Sequence, residues 1–417
     1  MKSNLITPQT IDEAALRLQS VVTKTPLQYS KRLSKLYNAN IYIKREDLQE
    51  VRSFKIRGAY NKISSLSALE RKKGVVCASA GNHAQGVALS CSLLKIKGAI
   101  FMPKITPNQK IEKVKQFGGK YVSVHLIGTT FDDAYGASVK HSEETKAVYV
   151  HPFDDPLVIA GQGTVGKEIY EEMEGKLDMI ISPIGGGGLS SGIATYVKAK
   201  NPDIVLIGCE PLGAAGMHTA FQNGEVVKLE KIDPFVDGAA VMKVGSLTYQ
   251  ICKKYLQDIV LIPEGKDCTT MIELYQSDGI IAEPAGALSL SVLDTMKDQI
   301  KGKTVVCILS GGNNDILRYP DIMERSLVYL GRKHYFIIEF AQKPGQLRAF
   351  LNDALGATDD IVLFEYMKKT NREKGPALVG IELQKKEDLQ PLMDKMDTMQ
   401  LKYRLLKSED IMYNLLI

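Results

Sequence analysis

The sequence predicts an α/β fold, in which a large unit with parallel sheets is followed by a smaller C-terminal α+β domain. Over most of the first 325 residues, short apolar runs alternate with amphipathic runs, which is typical of parallel strands flanked by helices. Beyond residue 333 the predicted order becomes strand, helix, strand, strand, helix, strand, as in ferredoxin-like domains. Glycine-containing turns follow several strands of the large unit, where parallel sheets place their ligand sites.

The composition fits an ordinary globular protein and excludes several classes of partner. The chain has 417 residues, 44% of them hydrophobic and 24% charged, which is enough for two or three domains with their own cores. The net charge of +5 is not concentrated in a basic block, so we expect no nucleic acid among its partners. No apolar run approaches the ~20 residues that cross a membrane, so we expect no membrane partner either.

The cysteines, the histidines and the N-terminus indicate the compartment. The six cysteines and six histidines are scattered, without the spacing of a disulfide framework or of metal ligands. Residues 1–10 contain no signal-peptide core. We therefore expect a cytoplasmic location, buried thiols and no bound metal.

The first half of the large unit begins with a predicted helical arm over residues 1–30, whose helix starts at a capping box in residues 10–13. The predicted strands of this half cover residues 41–43, 75–78, 99–102 and 121–125. The helix before the last of these strands has Thr106 as its N-cap, Pro107 as its first residue and Gly118 past its end.

A break over residues 151–156 separates this half from a second series of alternating elements. The predicted strands of the second series cover residues 179–182, 204–209 and 304–309. Its predicted helices cover residues 164–174, 189–200, 269–277 and 285–296. We expect residues 1–325 to form the large unit, with residues of about 55–150 as the smaller of two lobes.

Residues 326–333 are predicted to connect the large unit to a separate domain over residues 334–417. Apolar stripes at residues 347–355 and 389–396 predict the two helices of this domain, and a polar loop covers residues 370–375. Its predicted strands cover residues 334–340, 361–369, 377–384 and 403–407. The domain is therefore predicted as a ferredoxin-like split βαβ, and it contains none of the candidate site residues.

Lys55 is the first candidate for chemistry. It lies beyond a polar loop over residues 45–52, follows Phe54 and precedes a segment, residues 58–66, that can begin a helix. An ammonium group held partly out of water has a lowered pKa, which frees the amine for nucleophilic chemistry. A lysine in a polar loop is more often a solvated charge, so this feature alone does not identify a site.

Four consecutive glycines, Gly185, Gly186, Gly187 and Gly188, lie between a predicted strand and a predicted helix. Such a turn lets backbone N–H groups converge on one anion, and the start of the helix adds the positive end of its dipole. A phosphate is the natural occupant, and the alternative is a flexible turn. The chain has no Gly-x-x-x-x-Gly-Lys-Ser/Thr motif, which disfavours a nucleoside triphosphate.

A second glycine pattern, residues 161–166, matches the dinucleotide-binding fingerprint in its letters but not in its context. Only a short apolar patch at residues 157–160 precedes it, and the next strand ends without the acidic residue that would hold a ribose. We therefore expect neither a nicotinamide nor a flavin cofactor.

Two further turns offer groups that bind small ligands. The first turn consists of Ser79, Ala80, Gly81, Asn82 and His83. It lies at the start of a predicted helix, where backbone N–H groups can bind a carboxylate. His83 could act as a general base, although a lone histidine at a helix start is more often structural. The second turn, residues 310–313, follows a buried strand, and the Ser310 hydroxyl could bond a ring nitrogen unless the segment is a plain turn. A lysine amine, a phosphate cradle, a carboxylate nest and a small hydroxyl are together what pyridoxal phosphate and an amino-acid substrate require.

These motifs, taken in order, resemble the signature set of the fold-type II pyridoxal-phosphate enzymes; they lie at residues 53–58, 79–83, 185–188 and 310–313. Within that group, the chain is similar over nearly its full length to the threonine dehydratase (threonine ammonia-lyase) family of the biosynthetic type. Its C-terminal part, including residues 340–345, resembles the ACT-like regulatory domain of that family. The resemblance implies a two-lobed catalytic unit and pyridoxal 5'-phosphate as the cofactor.

The resemblance also implies a role for each matching residue. Lys55 would carry the cofactor and act as the base on the substrate Cα–H. The residues that would bind the substrate carboxylate are Ser79, Ala80, Gly81, Asn82 and His83. The residues that would hold the cofactor are Lys55, Phe54, Asn82, Gly185, Gly186, Gly187, Gly188, Leu189 and Ser310.

The implied reaction converts L-threonine to 2-oxobutanoate and ammonia, and L-serine to pyruvate, as the first committed step of isoleucine biosynthesis. Ala80 stands where serine racemases of the family carry a second serine, so we expect no efficient racemase activity. Related enzymes bind a cation near the stretch that is residues 210–216 here. Gly216 stands where some of them carry an acidic residue, so no metal is expected.

The C-terminal domain implies allosteric inhibition by isoleucine, with valine as a candidate opposing effector, and the family implies a homo-oligomer, either a dimer or a tetramer. Two other functions stay open. One is a β-replacing synthase of the same fold, and the other is an amino-acid-binding sensor without turnover.

Overall fold

The structure is a computed structural model that describes residues 6–366, 373–407 and 410–416. The first five residues of the predicted arm lie outside the described residues. The same is true of the end of the predicted strand over residues 361–369 and of residues 370–372 in the loop that follows it.

The chain divides into two compact units. The first contains the residues up to Glu264 together with Leu274–Asn314, and the second contains Gly265–Glu273 and the residues from Asp315 onward. The limits predicted for the domains stay a prediction.

Two sheets form the centre of the first unit. Their strands are Leu27–Tyr29 (β1), Asn40–Arg45 (β2), Val75–Ala78 (β3), Gly98–Met102 (β4), Val122–Leu126 (β5), Val148–Tyr149 (β6), Met179–Pro183 (β7), Val205–Pro211 (β8), Asp258–Ile262 (β9) and Thr304–Leu309 (β10). The larger sheet has the order β1-β2-β10-β7-β8-β9, and the smaller sheet has the order β5-β4-β3-β6. All neighbouring strands are parallel except β1 and β2, which confirms the prediction of an α/β unit.

Helices fill the connections between these strands. They are Pro8–Leu18 (α1), Lys31–Tyr37 (α2), Lys55–Ser64 (α3), Ala68–Lys73 (α4), Asn82–Leu94 (α5), Asn108–Gly118 (α6), Phe131–Thr145 (α7), Pro156–Glu172 (α8), Gly188–Lys200 (α9), Gly216–Asn223 (α10), Ser246–Tyr255 (α11), Glu264–Asp278 (α12), Pro284–Ser291 (α13) and Lys297–Ile300 (α14). Every residue of β3 and β4 is buried, as expected for parallel strands covered on both faces. Over the residues that the structure describes, no helix combines the length and the apolar character needed to cross a membrane.

Two predicted helix starts were wrong. α1 begins after Thr7, whose hydroxyl accepts from the N–H of Thr10, so Thr10 closes the capping box instead of opening it. α6 begins at Asn108, one residue later than predicted, because Pro107 takes the N-cap position and Thr106 makes no cap bond. The predicted helical arm is also interrupted, since β1 lies inside it.

The fingerprint-like residues 161–166 lie inside α8 and not in a strand-to-helix turn. A Cβ atom built at Gly161 would lie 2.3 Å from the carbonyl oxygen of Arg57 in α3, and one at Gly163 would lie 2.9 Å from that of Gly192 in α9. These glycines therefore allow three helices to pack closely, which explains the pattern without a dinucleotide.

The second unit is built on one antiparallel sheet. Its strands are Lys333–Ala341 (β11), Asp360–Tyr366 (β12), Lys374–Glu382 (β13) and Lys402–Leu405 (β14), in the order β12-β13-β11-β14. Its helices are Tyr319–Tyr329 (α15), Gln346–Ala349 (α16), Leu389–Thr398 (α17) and Tyr413–Leu416 (α18), with a π-helical turn over Phe350–Ala354. Buried side chains including Phe336, Phe350 and Met396 form its core. The predicted ferredoxin-like order is confirmed.

Candidate active site

Lys55 is the first residue of α3 and lies beside the turn that follows β10. The two preceding residues pair with this turn. Ser53 forms an isolated antiparallel bridge with Gly311, and the N–H of Phe54 donates to the carbonyl of Ser310 at 3.1 Å. Two of the predicted motifs, far apart in sequence, are therefore adjacent.

The Lys55 amine is only weakly paired. Its Nζ donates to the carbonyl of Pro152 at 3.2 Å and lies 5.1 Å from the centre of the Phe54 ring. Burial lowers the pKa of Lys55 to about 8, and the nearby Glu283 carboxylate opposes this shift without cancelling it. Part of the amine is therefore uncharged at mildly alkaline pH, as a nucleophile or a base requires.

A buried ionic cluster fixes α3 two residues further along. The guanidinium of Arg57 donates two bonds of 2.8 Å to Glu46 and two bonds, of 2.6 and 2.9 Å, to Glu168. The ammonium of Lys44 lies 2.7 Å from Glu168. Because Arg57, Lys44 and Glu46 are fully buried, the segment predicted as a polar loop begins in the interior. Bidentate pairs fix orientation as well as distance, so this cluster holds the start of α3 and thereby Lys55.

The turn from Ser79 to His83 joins the carboxyl end of β3 to α5. Its first hydroxyl, that of Ser79, accepts from the N–H of Gly81 at 3.2 Å. Gly81 is the N-cap of α5 and has no side chain to cap it, so the first N–H groups of the helix have no intrahelical partner. The space beside Gly81 is open, since a Cβ atom built there meets nothing within 4 Å. The turn can therefore receive a carboxylate.

His83 is held in one orientation and stays uncharged. Its Nε2 donates to the carbonyl of Val150 at 2.8 Å, and its Nδ1 is buried without a hydrogen-bond partner. Burial, together with the nearby Lys55 charge, lowers the pKa of His83 to about 3. A ring with so low a pKa accepts a proton poorly, so it is a weak general base at neutral pH and the geometry supports the structural alternative.

The glycine quartet, Gly185 to Gly188, links the carboxyl end of β7 to α9. Gly187 has a φ of +94°, a left-handed conformation that favours glycine. Gly188 begins α9, and no side chain caps this helix, so the N–H groups of its first turn lack intrahelical partners. Together with the helix dipole, these donors form a cradle for an anion.

Thr248, in α11, supports the quartet, and Asp154, in the loop before α8, supports the start of α11. The Thr248 hydroxyl donates to the carbonyl of Gly186 at 2.6 Å. This carbonyl shares its planar peptide group with the N–H of Gly187, so the bond fixes the direction of one donor in the cradle. The Asp154 carboxylate accepts from the first N–H groups of α11, including that of Thr248 at 3.2 Å.

Lys55 and the glycine quartet are linked through two shared neighbours, Pro152 and Gln162. The carbonyl of Pro152, which accepts from Lys55, also accepts from the Gln162 amide at 3.3 Å. The Oε1 atom of Gln162 lies 2.4 Å from the position that a Cβ of Gly188 would take. The amine and the anion cradle, distant in sequence, therefore belong to one site.

Ser310 is buried at the end of β10. Its hydroxyl donates to the carbonyl of Ala285 at 3.1 Å. Because a hydroxyl hydrogen can rotate, the same group could instead donate to the ring nitrogen of a bound cofactor. The same turn reaches the substrate-binding turn, because the Asn313 amide donates to Oδ1 of Asn82 at 2.8 Å. All four predicted motifs are thus neighbours.

Glu283 lies at the centre of the site and was not predicted from the sequence. It is buried, and its Oε1 accepts from the Asn82 amide at 2.6 Å. The same oxygen lies 2.1 Å from a Cβ atom built at Gly311. Burial and then the charge of Asp237 raise the pKa of Glu283 to about 7. The available signal in the sequence was an acidic residue between an apolar run and the helix-starting Pro284.

Glu210, in the segment considered above for a cation, caps a helix. Its carboxylate accepts from the N–H groups of Met217 and His218 at 2.7 and 2.8 Å, at the start of α10. Burial raises the pKa of Glu210 to about 8. Among the described residues, no three or more His, Cys, Asp or Glu side chains come together as a metal ion would need.

The chemistry of these groups fits pyridoxal phosphate. An amine with a lowered pKa can bond an aldehyde, and the uncapped start of α9 can bind a phosphate. The hydroxyl of Ser310 and the amide of Asn82 can bond polar atoms of a ring.

Two protein-family models together match most of the chain. Residues 18–311 match the pyridoxal-phosphate dependent enzyme family, and residues 324–416 match the C-terminal regulatory domain of threonine dehydratase. The chain is 54% identical over 400 residues to L-threonine dehydratase biosynthetic IlvA of Halalkalibacterium halodurans, with 96% of each chain covered. It is 50% identical over 416 residues to the Bacillus subtilis protein of the same name, covering 100% of this chain and 99% of the relative.

Solved structures give the same picture for the first unit. The processed form of threonine deaminase isoform 2 from Solanum lycopersicum is 39% identical, with a TM-score of 0.73, and the match covers 77% of this chain and 88% of that one. Maize serine racemase is 32% identical, with a TM-score of 0.72, and the match covers 78% of this chain and 98% of that one.

Proposed function

Because this chain belongs to the biosynthetic L-threonine dehydratase family of pyridoxal-phosphate-dependent enzymes, we propose that it converts L-threonine to 2-oxobutanoate and ammonia with the residues assembled around Lys55. The observation that carries this proposal is the meeting of an amine of lowered pKa with the glycine cradle at Pro152 and Gln162. The substrate carboxylate binds in the turn that begins at Ser79.

The cofactor is held at both ends by this chain. Lys55 carries it, Phe54 packs beside it, and Ser310 and Asn82 bond its ring. The donors for its phosphate are the backbone N–H groups of Gly185, Gly186, Gly187, Gly188 and Leu189. The start of α9 at Gly188 suits a phosphate, because the negative charge of the phosphate lies near uncapped backbone N–H groups and the positive end of the helix dipole.

Proton transfer at the substrate depends on Lys55. Bound pyridoxal phosphate supplies an electron sink for the substrate Cα. The uncharged Lys55 amine takes the proton from Cα, and the substrate carboxylate is held meanwhile by the N–H groups at the start of α5. The β-hydroxyl then leaves as water with a proton returned by the Lys55 ammonium, and one water adds to the released enamine to give 2-oxobutanoate and ammonia. Asn82 and Glu283 form a hydrogen-bonded pair beside this centre, and we assign them to orienting the ring and the carboxylate.

L-Serine undergoes the same steps and gives pyruvate, since it differs from threonine only by the β-methyl group. Racemisation would require a second proton donor, and this chain has Ala80 at the position where serine racemases of the family carry a second serine. An alanine side chain has no proton to give, so we propose a dehydratase without efficient racemase activity despite the likeness to maize serine racemase.

The second unit provides regulation in this proposal. Its match to the regulatory domain of threonine dehydratase supports an allosteric effector, and we propose isoleucine, the end product of the pathway that this reaction begins, as the inhibitor. Valine is proposed as an opposing effector. A coupling free energy between two sites must be reciprocal, so threonine should in turn weaken isoleucine binding.

We also propose a homo-oligomer in the cytoplasm. All six cysteines are buried, and none of them forms a disulfide bond in the part of the chain that the structure describes, which suits a reducing compartment. The oligomer, a dimer or a tetramer, is proposed from the family alone.

A keto-acid assay on the purified holoenzyme tests the proposal. The expected products are 2-oxobutanoate from L-threonine and pyruvate from L-serine, with less of each when isoleucine is added. Formation of a thioether from serine and a thiol, without keto acid, would identify a β-replacing synthase instead. Binding of threonine without any product would identify a sensor.

A further inference from the structure

Phe153 is an aromatic residue at the site to which neither the motifs nor the cofactor contacts assign a role. It lies in the loop between β6 and α8 and is only half-buried. A Cβ atom built at Gly186 would lie 2.1 Å from Cγ of Phe153, and one at Gly188 would lie 3.0 Å from its Cβ. The ring therefore packs directly on the glycine quartet.

The neighbouring residue in the chain, Pro152, touches the reacting amine. Its carbonyl accepts from Nζ of Lys55 at 3.2 Å. The ring of Phe153 therefore packs against the quartet, and the carbonyl of the residue before it accepts from the amine that takes the substrate proton.

Backbone and ring contacts with one histidine hold Phe153 in place. The N–H groups of Phe153 and Asp154 donate to Nδ1 of His151 at 3.3 and 2.8 Å. The His151 ring meets the Phe153 ring edge-on, with centroids 4.6 Å apart and an interplanar angle of 90°. A ring fixed in this way is a rigid wall, because an edge-to-face pair has a defined geometry.

The four substituents of the substrate Cα leave one direction for the side chain. The carboxylate goes to the turn at Ser79, the nitrogen goes to the cofactor, and the hydrogen faces Nζ of Lys55. The side chain takes the remaining direction. Between Lys55 and the quartet, Pro152 and Phe153 are residues to which no substrate or cofactor group has been assigned.

We propose that Phe153 is a specificity-determining residue whose ring contacts the β-methyl group of threonine and limits the size of the β-substituent. This inference rests on the proposed function and adds the residue that separates threonine from serine. One methyl group in an apolar pocket changes kcat/KM by about 10- to 200-fold, and a single wall accounts for the lower part of that range.

The test compares Phe153→Ala and Phe153→Leu with the wild-type holoenzyme. The substrates are L-serine, L-threonine and 2-amino-3-hydroxypentanoate, which carry hydrogen, methyl and ethyl at Cβ. Phe153→Ala is expected to lower the threonine-to-serine ratio of kcat/KM by about tenfold and to raise the relative rate on the ethyl substrate. Phe153→Leu, which keeps an apolar wall, is expected to shift the ratio by about threefold or less.

Phe131→Leu is the matched control. Phe131 is an exposed aromatic residue of α7 in the same unit, so its substitution should leave the ratio unchanged. Cofactor affinity, measured from the visible absorbance of the bound cofactor, separates a specificity role from simple support of the quartet. A Phe153→Ala enzyme that loses cofactor affinity, or loses kcat/KM equally for all three substrates, overturns the proposal. Absence of keto acid from the wild-type enzyme would instead overturn the proposed function.

Discussion

Lys55 and Arg57 lie two residues apart at the start of α3, and both are cations removed from most of their water, yet their surroundings differ. Arg57 donates to the carboxylates of Glu46 and Glu168, whereas Lys55 donates to the neutral carbonyl of Pro152. Burial lowers the pKa of both groups. For Arg57 the two carboxylates reverse this effect and raise its pKa, while the pKa of Lys55 stays lowered at about 8.

The comparison shows that the partner, and not burial alone, decides whether a buried cation is structural or chemical. A cation tied to two carboxylates cannot give up its proton and serves to fix a helix. A cation that faces a carbonyl is easily deprotonated and can act on a ligand. The helix therefore carries an anchor and a reactive group within one turn.

The largest expected effect is the loss of activity in Lys55→Ala. Removal of the only amine assigned to carry the cofactor and move the proton should lower keto-acid formation by about 10³-fold or more. Stability should not fall, because a poorly paired buried charge is removed. Keto-acid rates and urea unfolding of the same preparation check both parts. Lys62→Ala, on the same helix but paired with Asp155, is the control and should keep most of its activity.

Arg57→Met should chiefly lower stability, in contrast to Lys55→Ala, which should chiefly lower activity. The substitution leaves Glu46 and Glu168 without their main partner, so the free energy of unfolding should fall by about 3–5 kcal/mol. Urea unfolding measures this loss. Lys115→Met, which breaks an exposed pair with Glu112, should cost at most about 1 kcal/mol. Equal losses in the two variants would contradict the view that the buried cluster anchors α3.

Gly161→Ala should disturb the anchored end of α3 through α8. The added Cβ would lie 2.3 Å from the carbonyl oxygen of Arg57, and we expect a loss of about 1–3 kcal/mol in urea unfolding. Gly136→Ala is the matched control inside α7, where an added Cβ meets nothing within 4 Å. It should stabilise the protein by up to about 1 kcal/mol, because alanine is the better helix former. If Gly161→Ala leaves the free energy of unfolding unchanged, α3 and α8 do not depend on this close approach.

The smallest expected effect is a difference in pH dependence between Glu283 and Glu46. Burial raises the pKa of Glu283 from 4.5 to about 7, so the native state holds its proton longer than the unfolded state. Its contribution to stability should therefore fall as pH rises from 4.5 to 7 and stay constant above that. Glu46 should show the opposite sign. Although burial opposes ionisation, Arg57 lowers the pKa of Glu46, so stability is lost as pH falls below 4.5.

Urea midpoints at several pH values, measured for the wild type and Glu283→Gln, test this difference. The wild type should lose stability relative to Glu283→Gln between pH 4.5 and 7. A flat difference across that window would mean that the carboxyl of Glu283 ionises with its ordinary pKa.

The features that could be predicted are those that depend on residues close to one another in the sequence. The alternation of strands and helices, the position of Lys55 before a helix and the four glycines before α9 all depend on neighbours in sequence, and the fold class was confirmed. The predicted start of α6 at Pro107 was one residue early, because proline suits either side of a helix start.

Contacts made across the unit could not be predicted in this way. Glu283 reaches Asn82 only after α13 and α5 have packed, and a lone glutamate in a sequence does not show that it will be buried. The partners of Arg57 also come from two separate segments, so the sequence alone predicts a polar loop before Lys55. The roles assigned to the site residues stay predictions until they are measured.

The most direct test of the central claim is to reduce the holoenzyme with sodium borohydride and map the modified peptide by mass spectrometry. We expect a single pyridoxyl label on Lys55, a half-buried lysine whose amine donates to a carbonyl. A label on Lys44, which lies against Glu168, or no stable label at all, would contradict it.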